Sequence, residues 1–447
     1  MRLICNALGG TAVDDWGYLR AMTNMAVQPP RRTLFIDALA AGIGFARAQG
    51  WMEPPRLERE ALVASAEEHT GLSDFGDPWF IAAFDKLLES LHSEARLNAV
   101  GEWAAQKQFE KVLQDRLWAQ QWFARHPEIL ARPLPHPIIV VGPMRSGTTR
   151  MHRLLSGDKR FTHMRCFETI SPVPRPDFER GGHDSRIELA RRLKRLARLS
   201  NPNTLTIHPT GPFEPEEELG LFCSSFWGLK HPSQWWIPSY SRWCERQDAT
   251  GGYEQVTRLL KLVGWAQQAS SLRPWVLKTA QHMIDLPAML GVFPDARIIF
   301  THRDPLSVVG SAASLAWNQT IIYSDRADAK AIGEEWLRKL GFMIGRMRAA
   351  RRKIPQSRYI DVHFEDMERD WRGTMRRVYD FLDYDIAPAL PAMEDYQRRT
   401  HRRHRRPHRY SLEEFGLAPG RVMEELGEYM RTYEIVPDIR RAVSARR

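Results

Sequence analysis

Residues 142–149 read Gly-Pro-Met-Arg-Ser-Gly-Thr-Thr, directly after the β-branched run Ile138–Val141 and before a stretch with Met151, Leu154 and Leu155 at helical spacing. Strand, glycine-containing turn and helix start, in that order, are the parts of a phosphate cradle. Gly142 and Gly147 let the backbone approach phosphate oxygens, successive N–H groups converge on them, and the helix N-terminus adds about half a positive charge. The hydroxyls of Ser146, Thr148 and Thr149 are further donors, and Arg145 supplies a full cation inside the loop.

The spacing is that of a nucleoside-triphosphate loop, but Thr148 stands where a triphosphatase has its lysine. A ligand with a single phosphate to cradle needs neither that lysine nor a magnesium ion on the following hydroxyl. A P-loop kinase or nucleotidase is therefore the weaker reading, and no run ends directly in an aspartate suited to magnesium. In Arg297-Ile298-Ile299-Phe300-Thr301-His302-Arg303-Asp304-Pro305 an apolar run delivers Arg303 to its carboxyl end, either as a phosphate ligand or as a surface turn in which Arg303 and Asp304 pair locally. Ser311 follows eight residues later, two helical turns on. A guanidinium donates two hydrogen bonds to a phosphate and a serine can supply a third.

Arg145-Ser146-Gly147-Thr148-Thr149 matches the loop of the PAPS-dependent sulfotransferases, in particular their bacterial branch, and the chain resembles that family over roughly 137–433. PAPS is 3'-phosphoadenosine 5'-phosphosulfate. Met144 occupies the family's proline position, with Pro143 one residue early. The resemblance implies that Arg145 stabilises charge on the transferring group, that Ser146 to Thr149 hold the 5'-phosphate, and that Arg303 with Ser311 holds the 3'-phosphate. It also implies sulfuryl transfer without a metal to a hydroxyl, or an amine, of a small or lipid-like acceptor. Leu277-Lys278-Thr279 and Tyr410-Ser411-Leu412 extend the likeness.

Two residues are candidates for the base that takes the acceptor's proton. Glu168, in Cys166-Phe167-Glu168-Thr169, lies where bacterial and tyrosyl-protein members of the family place a glutamate. His208 lies at a separation similar to that of the histidine base of the animal cytosolic branch, and an imidazole with a pKa near ~6.5 suits the task. Lys278 can reach the sulfuryl oxygens or the acceptor, or form a structural ion pair. The acids 216–218 read as a solvated helix start.

These residues need a scaffold that brings strand ends together. The runs 138–141, 296–300 and 358–363, separated by helical patterns, predict a P-loop-type α/β fold with a mostly parallel sheet flanked by helices, whose ligands bind at the strands' carboxyl ends. From 33 to 132 apolar residues recur at three and four, so 1–133 is read as an all-helical N-terminal region and 134–447 as the sulfotransferase α/β domain. The segment 175–261 reads as an insertion, a pocket or lid whose phenylalanines and tryptophans between 213 and 243 suit an apolar acceptor. The tract 398–409 holds seven arginines and three histidines in twelve residues; the family resemblance implies a basic C-terminal loop over the 3'-phosphate, with polyanion binding by a non-enzymatic nucleotide- or polyanion-binding protein, or a solvated loop, as the rival readings.

A net charge of +10 fits an anionic ligand, but no base-reading motif points to specific nucleic-acid binding. Four widely spaced cysteines suggest reduced thiols in the cytoplasm rather than disulfides or zinc. Residues 1–10 are too poor for a secretory signal, and no run approaches the ~20 apolar residues of a membrane helix. The N-terminal helices are open to two roles, a cap on the site or a homodimer interface.

Overall fold

A computed structural model of the chain describes residues 31–202, 210–403 and 410–437. Its centre is one five-stranded sheet, all of whose pairings are parallel, in the order β2-β3-β1-β4-β5. The strands are β1 Ile138–Val141, β2 Thr162–His163, β3 Trp275–Lys278, β4 Arg297–His302 and β5 Tyr359–His363. Three of them are the runs expected from the sequence. β2 has only two residues and β3 only four, too few for a period to declare itself.

Alternation along the strands divides the core. Ile139, Val141, Leu277, Ile298 and Phe300 face one way, into a large apolar core; Ile138, Val140, Val276, Ile299 and Val362 face the other way, against Met151, Leu154 and Met375. Both faces are covered by helices, as a parallel sheet requires.

The N-terminal helices are α1 Leu34–Ala48, α2 Arg59–Thr70, α3 Phe80–Ser93 and α4 Ala99–Arg125. α2, α3 and α4 share the larger core with the α/β part. Asn98 caps α4 by accepting from the Gly101 amide at 2.8 Å, and Arg116 of α4 donates to the carbonyls of Phe75, Asp77 and Ser224 at 3.0, 2.8 and 2.9 Å. One buried guanidinium thus ties the N-terminal helices to the 175–261 segment.

After β1 come α5 Thr148–Leu155, α6 Cys166–Ile170, α7 Ser185–Ser200 and α8 Thr250–Ala266; after β4, α9 Pro305–Tyr323 and α10 Ala329–Arg351; after β5, α11 Trp371–Leu382, α12 Leu390–Arg403 and α13 Pro419–Thr432. Asp304 opens α9 by accepting from the Leu306 amide at 3.1 Å, with Pro305 in the first turn where its missing N–H costs nothing.

Two expectations are corrected. The aromatic residues of the 175–261 segment do not all line a pocket: Trp227 and Trp235 are buried in the core, Phe226 stacks on Phe84 of α3 at 3.9 Å between centroids, and Trp235 meets Phe109 of α4. Burying such large rings against the N-terminal helices removes more apolar surface from water than lining an open cleft would. The basic tract is not loop throughout, since α12 runs to Arg403 and Arg399 pairs with Asp395 one turn earlier at 2.8 Å; residues 404–409 lie outside the described residues. No described helix is long and apolar enough to cross a membrane.

Candidate active site

The strand order sets the location. β1 lies between β3 and β4, and the chain moves from β1 to one side and later returns to the other, so the crevice at β1's carboxyl end is the switch point where doubly wound sheets bind ligands. The 142–149 loop occupies it. A Cβ on Gly142 would collide with Thr301 of β4, so the loop's first residue can only be glycine there. The Ser146 hydroxyl donates to the Pro143 carbonyl and bonds the Thr301 hydroxyl, each at 2.7 Å, which clamps the turn to the neighbouring strand. Gly147 caps α5 with φ at +90°, a conformation that side chains resist.

Arg145 is the outlier of the loop. Its φ is +69°, in the left-handed region that a long side chain rarely enters, and such strain persists only where surrounding contacts hold it. One holding contact is visible: Arg303 donates Nη1 to the Arg145 carbonyl at 2.5 Å. Arg303 in turn lies over the Phe364 ring, 3.9 Å from its centroid. Burial pulls the Arg145 guanidinium below its ordinary pKa, with Tyr410 opposing the shift.

The two anchors expected from the sequence therefore adjoin. Ser311, in the second turn of α9, is buried and its hydroxyl has no hydrogen-bond partner among the described residues. An isolated buried hydroxyl on the helix that follows Arg303 suits a ligand oxygen. Tyr410 donates to the Ser307 carbonyl at 2.8 Å and packs so closely on Gly310 that a Cβ there would come within 2.9 Å. The C-terminal segment thus folds back over the same turn.

On the other side of the loop stands Lys278, at the end of β3. Its Nζ lies 3.3 Å from the Thr149 hydroxyl and pairs with Glu217. The acids 216–218 are consequently not a solvated helix start. Glu218 is buried, accepts the Lys278 amide at 2.9 Å and His282 Nε2 at 2.6 Å, and His282 Nδ1 meets the Tyr253 hydroxyl at 2.8 Å. Burial drives the Glu218 carboxyl up, but His282 and the amide more than offset it and its pKa is lowered. Of the three, only Glu217 retains appreciable exposure, at 27% of its side chain. Nothing in the local sequence separates these glutamates, because their roles come from β3 beside them.

Glu168 emerges after β2 as expected, but is fully enclosed. Its Oε2 accepts from the Arg165 amide at 2.7 Å and from Gln267 at 2.8 Å, and its Oε1 pairs with the Arg165 guanidinium. These are the bonds of a capping box at the start of α6. His208 lies outside the described residues. His152 of α5 is buried with neither ring nitrogen hydrogen-bonded, and burial, aided by the Lys278 charge, pushes it down to about 3, so it is neutral.

Known proteins bear on this geometry. The profile described as the sulfotransferase family matches residues 137–388, more than half of the chain and the whole sheet. The omega-hydroxy-beta-dihydromenaquinone-9 sulfotransferase Stf3 of Mycobacterium bovis is 24% identical over 307 residues, 63% of this chain and 71% of that one. The crystal structure of sulfotransferase STF1 from Mycobacterium tuberculosis H37Rv superposes with a TM-score of 0.71 at 29% identity, covering 83% of this chain and 98% of that one. Sulfotransferase STF9 from Mycobacterium avium gives a TM-score of 0.76 at 24% identity over 86% and 98%, a likeness of fold. A phosphate-type loop at the switch point, a second arginine laid across it and a profile spanning every strand agree: the chain belongs to the sulfotransferase family, in company with bacterial sulfotransferases.

Proposed function

We propose that this sulfotransferase takes its sulfuryl group from PAPS and passes it to a hydroxyl on a lipid-like acceptor. The observation that carries the donor reading is the Arg145–Arg303 contact, which joins a loop fit for a 5'-phosphosulfate to an arginine and an unpartnered Ser311 hydroxyl fit for a 3'-phosphate. Loop amides 147–149 and the α5 N-terminus hold the 5'-phosphate, while Ser146, whose amide and hydroxyl both donate to the Pro143 carbonyl and whose hydroxyl also bonds Thr301, braces the turn.

In the reaction the acceptor oxygen forms a bond to sulfur as the bond from sulfur to the bridging phosphate oxygen breaks, and that oxygen leaves with the electron pair. Arg145 and Lys278 flank the loop where this charge develops, and fixed cations placed there lower the barrier. No step calls for a metal. The acceptor's proton goes to a side-chain base. The family resemblance assigns that role to Glu168, with His208 as the imidazole alternative. The bonds from Arg165 and Gln267 occupy Glu168, so exposure and nearness to Thr149 through Lys278 favour Glu217 as a second reading.

The lipid-like acceptor rests on Stf3, whose name specifies a menaquinone derivative. The free thiols of Cys166, Cys223 and Cys244 fit a reducing cytoplasm. The deciding experiment incubates the protein with radiolabelled PAPS and prenylated hydroquinone or fatty-alcohol acceptors in EDTA. Label should move to a lipid with wild type and stay on PAPS with Arg145→Ala; equal transfer by that variant overturns the role of Arg145, and activity only with magnesium and ATP overturns the reading. Glu168→Gln and Glu217→Gln, compared for turnover and for nucleotide binding, identify the base as the one that loses turnover alone.

A further inference from the structure

Outside the site, two neighbouring helices leave a large apolar surface exposed. α1 presents Leu34, Phe35, Leu39 and Phe45 to solvent, Leu34 at 84% and Phe45 at 57%, and Trp51 just beyond it is 75% exposed with its ring edge-on to Phe45. α7 exposes Leu193, Leu196 and Leu199 at 40%, 49% and 56%. The two helices meet where the Thr33 hydroxyl donates to the Ser200 carbonyl at 2.9 Å. Isolated exposed leucines need no explanation, but eight large apolar side chains exposed on and beside two touching helices do.

The charge on α7 says what covers it. Its sequence Ser-Arg-Ile-Glu-Leu-Ala-Arg-Arg-Leu-Lys-Arg-Leu-Ala-Arg-Leu-Ser carries six basic residues and one acid. Leu193, Leu196 and Leu199 form one row at a spacing of three; the exposed Arg192, Arg195 and Arg198 form a second row displaced by about 100°. The acids nearby are engaged, Glu188 with Arg191, Asp37 with Arg32 and Glu102 with Arg47. A symmetric second copy would set arginine rows against each other, and the three acids just named are already paired. An anionic bilayer surface fits both rows, taking up leucine, phenylalanine and tryptophan at the acyl boundary while arginines meet lipid phosphates.

We propose that α1 and α7 form a docking surface by which the enzyme sits on anionic lipid membranes. Arg186 of α7 donates to the Ser171 carbonyl at 3.1 Å, which ties this helix to the end of α6. The surface does not depend on which acceptor is sulfated.

The test is co-sedimentation of the full-length chain with vesicles of phosphatidylcholine alone and of phosphatidylcholine mixed with phosphatidylglycerol. Binding should require phosphatidylglycerol and weaken with salt. The combined Arg192→Gln, Arg195→Gln and Arg198→Gln variant should lose at least ~10-fold in partitioning, since each cation near an anionic surface contributes roughly fivefold. Leu196→Glu should also lose binding, with melting temperature and titration by 3'-phosphoadenosine 5'-phosphate unchanged in both variants to show that fold and donor site are intact. Binding to neither vesicle, equal binding to both, or binding unaltered in the variants overturns the proposal. So does a dimer in light scattering that Leu39→Glu converts to monomer, since the face would then be buried between copies.

Discussion

Arg303→Ala tests the donor site with a number attached. The guanidinium donates to the Arg145 carbonyl at 2.5 Å and, in our proposal, to the ligand's 3'-phosphate. Losing the carbonyl contact loosens the loop for any nucleotide, at a cost of about 1 kcal/mol for a hydrogen bond from a partly buried charged group. Losing the phosphate contact costs about 2 kcal/mol more, discounted from the full value of a bidentate pair because Arg303 is only half-buried. Adenosine 5'-monophosphate, which lacks the 3'-phosphate, suffers only the first loss and should bind roughly fivefold more weakly; 3'-phosphoadenosine 5'-phosphate suffers both and should bind roughly 150-fold more weakly. The ratio of the two affinities, measured by titration calorimetry in EDTA, should therefore fall roughly 30-fold. If both ligands weaken by the same factor, Arg303 serves the loop alone and the 3'-phosphate site lies elsewhere. Arg303→Lys keeps the charge but not the fork, and should recover part of the ratio without restoring the loop contact.

Two further outcomes concern stability. Burial tends to raise the carboxyl pKa of Asp361, but the His302 hydrogen bond at 2.7 Å and the paired Arg351 guanidinium bring it down to about 2. A depressed carboxylate contributes stability that is present above the unfolded value near ~4 and is lost as pH falls from there towards 2, so Asp361→Asn should cost about 2 kcal/mol in denaturant unfolding at pH 7 and little at the lowest pH where the protein still folds. A loss that does not change with pH would show that packing, not charge, is at work. Arg116→Leu leaves three carbonyls without their donor and should destabilise the protein by about 3 kcal/mol, while sulfuryl transfer per folded molecule stays within twofold; a large fall in turnover with unchanged melting would instead place the N-terminal helices at the site.

The motifs were legible because each is local. Six of the loop's eight residues are ones whose chemistry needs no partner to be recognised: two glycines, an arginine and three hydroxyls. The same holds for β1 and β4, whose continuous apolar runs announce burial on both faces. Arg303 was legible for a related reason, since a strand of six residues delivers it to a fixed end. Ser311 was singled out by the family resemblance, and helical spacing only places it two turns after Arg303.

What stayed hidden depends on which distant segments meet. β3 is four residues with no period, yet it lies beside β1 and sets Lys278 against Thr149, residues 129 apart in the chain. Glu216, Glu217 and Glu218 look alike in sequence, and only β3 and His282 divide them into an enclosed anion and a half-exposed partner of Lys278. Glu168 follows β2 in the chain, but Gln267, from the far end of α8, helps to enclose its carboxylate. The tryptophans of the 175–261 segment carry equal information for pocket and for core, and the N-terminal rings chose core. The amino-acid sequence by itself thus determined the strand–loop–helix unit at 138–155 and the strands β1, β4 and β5, because backbone conformation and side-chain type are properties of neighbours. Tertiary structure alone decided burial, pairing and the state of each acid, because those depend on what the folded chain brings alongside.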